Sequence, residues 1–170
     1  MPYFIFAEPI QNKTQNLNAI NYITMHQSNR FQDENLVLSD FYDEVLVVCP
    51  SCAKKAIAKA NFETKKARLF CLNCGYNKEV ATALNQNTSI QMPANAFFNA
   101  VLWLQTSFKN ELFYAYNDRH LDYLERYISA VLREHKDRSH FTLLEKLPKF
   151  YHEAKNREGL LKIILKLKNK

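Results

Sequence analysis

The stretch "CPSCAKKAIAKANFETKKARLFCLNCG", from Cys49 to Gly75, holds all four cysteines of this 170-residue chain. They form two pairs of the same spacing, Cys49-x2-Cys52 and Cys71-x2-Cys74, with eighteen residues between the pairs. This spacing lies within the range of about 15 to 20 residues that is typical of a four-thiolate metal site. A C-x2-C turn presents two sulfurs on one side of a tight knuckle, and two facing knuckles complete a tetrahedron around Zn2+.

The residues around the cysteines predict the strands that hold such a site. A β-type run, Glu44 to Val48, leads into the first knuckle, and Pro50 restricts the backbone of that turn. Gly75 is one of two glycines in the chain and follows Cys74, where a knuckle commonly needs a positive φ. We expect the segments "AIAKANF" and "ARLF" to pair over the turn "ETKK", with Lys78 to Thr82 as a further strand.

This arrangement resembles the zinc ribbon found in general transcription factors and in many bacterial proteins. The resemblance covers about residues 45 to 83 and implies one structural Zn2+ held by the four cysteines. Two alternatives stay open at this point. Four thiolates also bind iron, and a C-x2-C pair can be a redox dithiol, although a redox pair usually stands alone at a helix start.

The composition bears on where the protein acts. The N-terminal segment "MPYFIFAEPI" has no basic region and no small-residue cleavage site, so it does not predict a signal peptide. No run approaches the roughly 18 apolar residues that span a bilayer, so we expect no membrane partner. We therefore expect a cytoplasmic location, where reducing conditions favour cysteines as metal ligands over disulfides.

The positive charge of the chain is concentrated in two segments. The net charge of +6 and the pI near 9.1 favour anionic partners, either nucleic acid or an acidic protein surface. Residues 49 to 80 contain seven Lys or Arg against two Asp or Glu, and residues 139 to 170 contain eight against three. Residues 1 to 48 are acidic, with two against six.

The ribbon carries its cations on the hairpin between the two knuckles. Near its tip lies the aromatic Phe62. Such a surface can lie against a phosphate backbone or in an acidic groove of a larger machine, and a merely solvated lysine-rich surface explains it equally well. The candidate contact residues are Lys54, Lys55, Lys59, Lys65, Lys66 and Arg68.

A second candidate contact lies at the start of the last predicted helix, near Asn156. Lys155 and Arg157 flank Asn156, which we expect to be the N-cap. Beside the free amides of the first helical turn, these two cations can hold an anion. An ordinary helix cap with solvated charges explains the same residues.

Downstream of the ribbon the sequence predicts a connector and then a hairpin. Residues 84 to 99 are polar and form the connector. Two aromatic-rich runs between Ala100 and Asn117 predict a β-hairpin that turns at Lys109-Asn110. A helix over "FFNAVLWL" is the alternative for the first run.

The C-terminal part predicts helices. An apolar stripe predicts a helix from Asp118 to Lys136, with Asn117 or Asp118 as its N-cap. A short helix ending near Leu147, another beginning at Pro148, and the last helix follow. The predicted fold class is α+β: a small antiparallel zinc ribbon joined to a β-hairpin and C-terminal helices over residues 100 to 170.

A second resemblance covers more of the chain. The stretches "LWLQT", "AYNDRHLDYLERYISAVLRE" and "LPKFYHEAKNR", in this order after the ribbon, are similar to a group of small bacterial zinc-ribbon-containing proteins. The similarity runs from about Val48 to the last helix and implies a class but no mechanism. Residues 1 to 44 lie outside it, and we predict for them a loose arm or a strand segment.

The sequence shows no catalytic constellation. Its five histidines match no metal or nucleophile spacing, and the nearest approach, His120 with Asp118 and Asp122, is explained by a capped helix start. We therefore predict a non-enzymatic zinc-binding protein that contacts nucleic acid through the ribbon hairpin and the C-terminal helix. The alternative is a protein-interaction adaptor in which the zinc ribbon is purely structural.

Overall fold

The structure, a computed structural model, describes residues 30–82, 94–134 and 141–170. Within them four single turns of 3-10 helix occur, at Leu38–Phe41, Leu144–Lys146, Lys149–Tyr151 and Ala154–Asn156. The predicted α+β class is confirmed. The strands and helices are β1 (Arg30–Gln32), β2 (Glu44–Val48), β3 (Lys55–Asn61), β4 (Lys66–Phe70), β5 (Asn77–Ala81), β6 (Leu104–Phe108), β7 (Glu111–Ala115), α1 (Asp118–Ser129), β8 (Leu132–Glu134) and α2 (Arg157–Lys168).

Strands β2, β3, β4 and β5 form an antiparallel sheet in that order, which we call the ribbon sheet. The predicted hairpin is confirmed: Asn61 pairs with Lys66, and Lys65 closes the turn with φ of 54°. The predicted third strand is β5, which pairs with β4. Alternation along β3 buries Ala56 and Ala58 on one face and exposes the lysines on the other.

Strand β2 joins the ribbon sheet to the rest of the molecule. One edge pairs with β3, and the other receives bonds from the C-terminal part. The Leu46 N–H donates to the Tyr116 carbonyl at 2.7 Å, and the Leu46 carbonyl accepts from the Trp103 N–H at 2.9 Å. Since β2 is hydrogen-bonded on both edges, Val45 and Val47 are buried with Leu46.

The hydrophobic core is continuous across this junction. Buried residues form one cluster that includes Val47 and Leu69 of the ribbon sheet, Leu104 of the β6–β7 hairpin, Leu124 of α1 and Leu160 of α2. Residues 45–82 therefore share their core with the C-terminal elements and do not form a separate one. This continuity means that the ribbon is supported by packing as well as by its cysteines.

The hairpin predicted over residues 100 to 117 is confirmed as β6 and β7, and a helix there is excluded. Phe108 pairs with Glu111, and Lys109 takes a positive φ of 54° in the two-residue turn. Helix α2 packs on β6 at Gly159, where an added Cβ would stand 2.9 Å from the Phe108 ring. A larger residue at position 159 would force the Phe108 ring to shift.

Helix α1 is shorter than predicted. It begins with the predicted N-cap, since the Asn117 side chain accepts from the His120 N–H at 2.8 Å. It ends at Ser129 because Ala130 is extended, and β8 then pairs in parallel with β1. Val131 is 60% exposed, so the predicted apolar stripe stops before it. His135, also assigned to that stripe, lies outside the described residues.

Part of the predicted N-terminal arm packs into this fold. From Arg30 onward the chain forms β1 and the first 3-10 turn, and Phe31 and Phe41 are buried. The buried Asp33 carboxylate accepts from the Tyr123 hydroxyl at 2.7 Å, tying the segment to α1. Residues 1–29 lie outside the described residues, as do residue 83 of the predicted ribbon and residues 84–93 of the predicted connector.

The short C-terminal helices are 3-10 turns, and the predicted capping by Asn156 is wrong. Asn156 precedes α2, but its backbone is helical and its side chain is buried and caps nothing. Its Nδ2 donates to the Phe150 carbonyl at 3.1 Å, and its Oδ1 accepts from Lys109 Nζ at 2.6 Å. In the described ranges no helix combines the length and the apolar character that crossing a bilayer requires.

Candidate metal centre

The ends of the ribbon strands bring the four cysteines together. Cys49 follows β2 and Cys52 precedes β3, while Cys71 follows β4 and Cys74 precedes β5. Because neighbouring antiparallel strands turn at the same edge of a sheet, both knuckles form at one end of the ribbon sheet. Cys49 and Cys71 are buried, whereas Cys74 is exposed.

The two knuckles have matching backbone geometry. The Ala53 N–H donates to the Cys49 carbonyl and the Gly75 N–H donates to the Cys71 carbonyl, each at 3.0 Å. Both donors have positive φ, 57° at Ala53 and 75° at Gly75. The expectation for Gly75 is confirmed. Ala53 adopts the same conformation despite its Cβ, which costs on the order of 1 kcal/mol and is accepted to close the knuckle.

The sulfur separations fit a tetrahedral metal site. The Sγ atoms of Cys49 and Cys74 are 3.6 Å apart, those of Cys52 and Cys71 are 3.7 Å apart, and all four lie within 4.8 Å of one another. These distances exceed the disulfide length of about 2.05 Å. A tetrahedron with metal–sulfur bonds of about 2.3 Å has edges of about 3.8 Å. The four thiols therefore fit a metal ion, as the spacing predicts.

Hydrogen bonds and neighbouring thiols shift the pKa values of Cys52 and Cys74. The backbone N–H of Lys54 bonds to the Cys52 sulfur and lowers the pKa of that thiol to about 6. For Cys74 the N–H of Tyr76 acts in the same direction, but removal from water and the other three thiols raise its pKa to about 11. Asn73 Nδ2 also donates to Cys52 Sγ at 3.5 Å. A divalent cation relieves the crowding of negative charge, so binding it deprotonates all four thiols.

The structure divides the six predicted hairpin contacts into two groups. Lys59 Nζ is 3.6 Å from Glu44 Oε2, and Lys66 Nζ is 2.8 Å from Glu79 Oε1. Strand register aligns these acids with the cations across the exposed face of the ribbon sheet, with Glu79 opposite Arg68. The hydrogen bond from Lys66 and its charge lower the pKa of Glu79. Charge on this part of the hairpin is therefore largely compensated.

The second group consists of Lys54, Lys55 and Lys65. None of their ammonium groups has an ion pair or a hydrogen bond within residues 30–82, 94–134 and 141–170. Lys54 and Lys55 follow the first knuckle directly, whereas Lys65 stands at the hairpin tip. The uncompensated charge thus lies at the metal centre and at the far end of the hairpin.

Lys155 and Arg157, the predicted anion contacts at the start of α2, interact with other groups of the protein. Lys155 Nζ is 3.4 Å from Glu153 Oε1. Arg157 turns inward: its Nε donates to the Ile128 carbonyl at 3.0 Å and its Nη2 to the Ala130 carbonyl at 3.1 Å. Arg157 therefore caps the carboxyl end of α1, together with Arg133, whose Nε donates to the Tyr127 carbonyl at 3.1 Å.

Replacing Arg157 by Gln is expected to lower the free energy of unfolding by about 1 to 3 kcal/mol, because two carbonyls lose a charged donor. Urea denaturation measures this change. The matched control is Lys155→Gln, whose side chain is 71% exposed and should change stability by less than about 0.5 kcal/mol. Unchanged stability together with weaker anion binding would restore the predicted anion site at Arg157.

The histidine cluster considered from the sequence does not assemble. His120 is 1% exposed and stacks on Phe41, and its Nδ1 accepts from the Tyr116 N–H at 3.2 Å. Burial lowers the pKa of His120 to about 3, so the imidazole is neutral at pH 7. Asp122 is exposed and pairs with Lys168 at 2.6 Å. These residues hold the start of α1 in place.

Sequence reasoning missed two residues beside the metal centre, Trp103 and Lys170. The structure places both next to Lys54 and Lys55, around one groove. Trp103 is the single tryptophan of the chain, but no local pattern connects it to residues of the first knuckle. Their proximity arises from the bonds between β2 and the segment before β6.

No family model matches this chain, and comparisons with curated proteins and with solved structures found no match. What supports the resemblance to zinc ribbons is therefore the cluster of four thiols at the ends of antiparallel strands.

Proposed function

We propose that the four cysteines hold one structural Zn2+ and that the protein binds nucleic acid without catalysing a reaction. The observation that carries this proposal is the closed set of four thiols, followed directly by Lys54 and Lys55, which form no ion pair with any residue that the structure describes. Four protein sulfurs fill a tetrahedron, so no position is left for a substrate or a water nucleophile. A reducing cytoplasm suits such a site because it keeps the thiols free to bind the metal.

Zinc is proposed over iron on the basis of what surrounds the thiols. Two of the four sulfurs belong to the hydrophobic core, and the strands leading to them are paired along their whole length. An ion in this position fixes the ends of four strands, which is the work of a structural zinc. Four thiolates also accept iron, so elemental analysis decides between the two metals.

The nucleic-acid proposal rests on charge that the fold leaves uncompensated. Lys59 and Lys66 face glutamates, but Lys54 and Lys55 meet no acid among the described residues. Phosphate groups neutralise such lysines with release of counterions, which favours binding at low salt. We therefore propose that Lys54 and Lys55, next to the first knuckle, make the main contact with nucleic acid, in place of the whole hairpin. Lys65 at the hairpin tip is a second, more distant contact.

Neutralising Lys54 and Lys55 together to Gln is expected to weaken binding to nucleic acid and to reduce the salt slope of log K by about two. Fluorescence anisotropy of a labelled oligonucleotide, repeated at several salt concentrations, measures both quantities. The matched control is the double change of Lys59 and Lys66 to Gln. It also removes two charges from the ribbon sheet, but these charges are already paired with Glu44 and Glu79, so we expect a smaller effect.

Two outcomes would contradict this proposal. Binding that does not respond to salt would exclude a phosphate contact. Equal losses of binding affinity in the two double variants would show that binding depends on the net charge of the chain and not on the lysines next to the knuckle.

A protein-interaction adaptor is the second candidate, and one observation favours it. Leu72 at the tip of the second knuckle is 86% exposed, and Phe62 at the hairpin tip is 58% exposed. Apolar side chains in such positions are suited to docking on another protein. A partner that co-purifies after nuclease treatment, and that the change Leu72→Ser removes, would support the adaptor over nucleic-acid binding.

A further inference from the structure

A groove of about 380 Å³ lies between the exposed face of the ribbon sheet and the C-terminal part of the fold. It is built from two parts of the chain that are distant in sequence. The ribbon contributes two lysines, four apolar residues and Asn73, and the C-terminal part contributes a tryptophan and a lysine. The residues used in the argument are Lys54, Lys55, Phe70, Leu72, Trp103 and Lys170.

The groove is cationic. Three lysines line it, and the described lining contains no Asp or Glu. Lys170 Nζ donates to the Trp103 carbonyl at 2.8 Å and lies 4.1 Å from the centroid of the Trp103 ring. Lys168, two residues earlier, is by contrast neutralised by Asp122 and Glu125. Asp118 and Asp122 border the adjoining cavity together with Lys55, Trp103 and Lys170, and Asp122 is paired with Lys168. Lys54 and Lys55 form no ion pair among the described residues, so an anionic ligand can complement them.

The lining of the groove favours a flat apolar group. Its walls include the apolar side chains of Ile57, Phe70 and Leu72 beside the Trp103 ring. The Trp103 ring is half-buried, and the face that carries the Lys170 ammonium becomes available to a bound group when that ammonium moves away. A flat aromatic ring fits this space, and stacking on tryptophan is the contact it makes best.

We propose that this groove binds one base of a single-stranded nucleic acid, stacked on Trp103, with the flanking phosphates on Lys54, Lys55 and Lys170. The proposal rests on the nucleic-acid binding proposed above and adds to it the strandedness and the place of the base. The base takes the position of the Lys170 ammonium over the ring, and that ammonium turns to a phosphate. A paired base within a duplex cannot reach Trp103, because both of its faces are already stacked.

The test compares an unlabelled (dT)16 single strand with a 16-base-pair duplex, each titrated into the zinc-loaded full chain. Since Trp103 is the single tryptophan, intrinsic fluorescence reports on the groove directly. We expect the single strand to quench Trp103 and to bind more tightly than the duplex, which leaves the fluorescence nearly unchanged. In anisotropy measurements, Trp103→Leu should weaken single-strand binding by roughly fivefold to a hundredfold, the effect of one lost base stack.

A second pair of variants guards against a folding defect in Trp103→Leu. Lys55→Gln, at an exposed position that lines the groove, should weaken the affinity for the single strand that Trp103 quenching measures. Lys66→Gln removes a lysine that is paired with Glu79 on the same sheet, so it should lower that affinity less.

If both nucleic acids bind alike and Trp103 is not quenched, the groove proposal is overturned and nucleic-acid binding stands. If neither binds at low salt, the proposed function itself fails. Quenching by an acidic, apolar peptide and not by (dT)16 would overturn the groove proposal in favour of a protein partner.

Discussion

Replacing Cys71 by Ser is expected to abolish metal binding and to lower the free energy of unfolding by about 3 kcal/mol or more. Cys71 is 2% exposed and closes the second knuckle against Cys52 at 3.7 Å. A structural zinc contributes on the order of 10 kcal/mol in small zinc-finger peptides, and here the continuous core replaces part of that contribution. Elemental analysis of the purified chain and urea denaturation measure the two effects.

The control for this variant is Ser51→Ala, an exposed position inside the first knuckle that supplies no sulfur. It should keep one zinc per chain and change stability by less than about 0.5 kcal/mol. Treating the wild-type protein with a chelator removes the metal without changing a side chain. The difference in unfolding free energy between the chelated protein and Cys71→Ser is then the cost of burying a serine hydroxyl. Iron in place of zinc, or a Cys71→Ser variant that retains one zinc, would contradict the proposed centre.

Replacing Leu102 by Ala is expected to lower the free energy of unfolding by about 2 to 5 kcal/mol, the usual cost of a cavity in a core. Leu102 is 0% exposed and bridges Val47 of β2, so it lies where the ribbon sheet meets the C-terminal elements. Because the core is continuous, the cavity should destabilise both parts equally. Trp103 fluorescence and zinc release, followed in the same denaturation, should shift together to the same midpoint.

A matched truncation on the surface is Leu112→Ala in β7, where the side chain is 39% exposed. It should cost less than about 1 kcal/mol, because less apolar area is lost and the gap opens to water. If Leu102→Ala shifts the fluorescence transition but leaves zinc release unmoved, the ribbon unfolds independently and the single cooperative core is wrong.

Features set by short-range geometry were predictable from the sequence. The two knuckles, the hairpin turn at Lys65, the turn at Lys109 and the cap at Asn117 each involve residues within a few positions of one another. Their backbone conformations follow from spacing, residue type and alternation, all of which can be read along the chain. Each C-x2-C pair is local in the same way, and the spacing between the two pairs predicts that they form one site.

The predictions that failed concern groups brought together from afar. At the end of α1, Arg157, which lies 27 residues beyond Ala130, supplies donors that a continued helix would otherwise provide to the Ile128 and Ala130 carbonyls. The apolar stripe alone predicts a helix that runs to Lys136, because hydrophobic periodicity gives no information about a capping group that is distant in sequence. Asn156 likewise has the residue type of an N-cap, but burial against Phe150 and Lys109 commits its side chain elsewhere.

The sequence by itself determined the four-thiol centre and the antiparallel strands around it, because a C-x2-C knuckle and a strand pattern are local in the chain. Only the tertiary structure decided which lysines are free to act. Strand register places Glu44 opposite Lys59 and Glu79 opposite Arg68, where Glu79 also pairs diagonally with Lys66, whereas Lys54 and Lys55 line a groove with Trp103 and Lys170. The interaction between two charges depends on their distance in space, and the pairing between strands sets that distance. The spacing of charged residues along the sequence does not predict which strands pair or in which register.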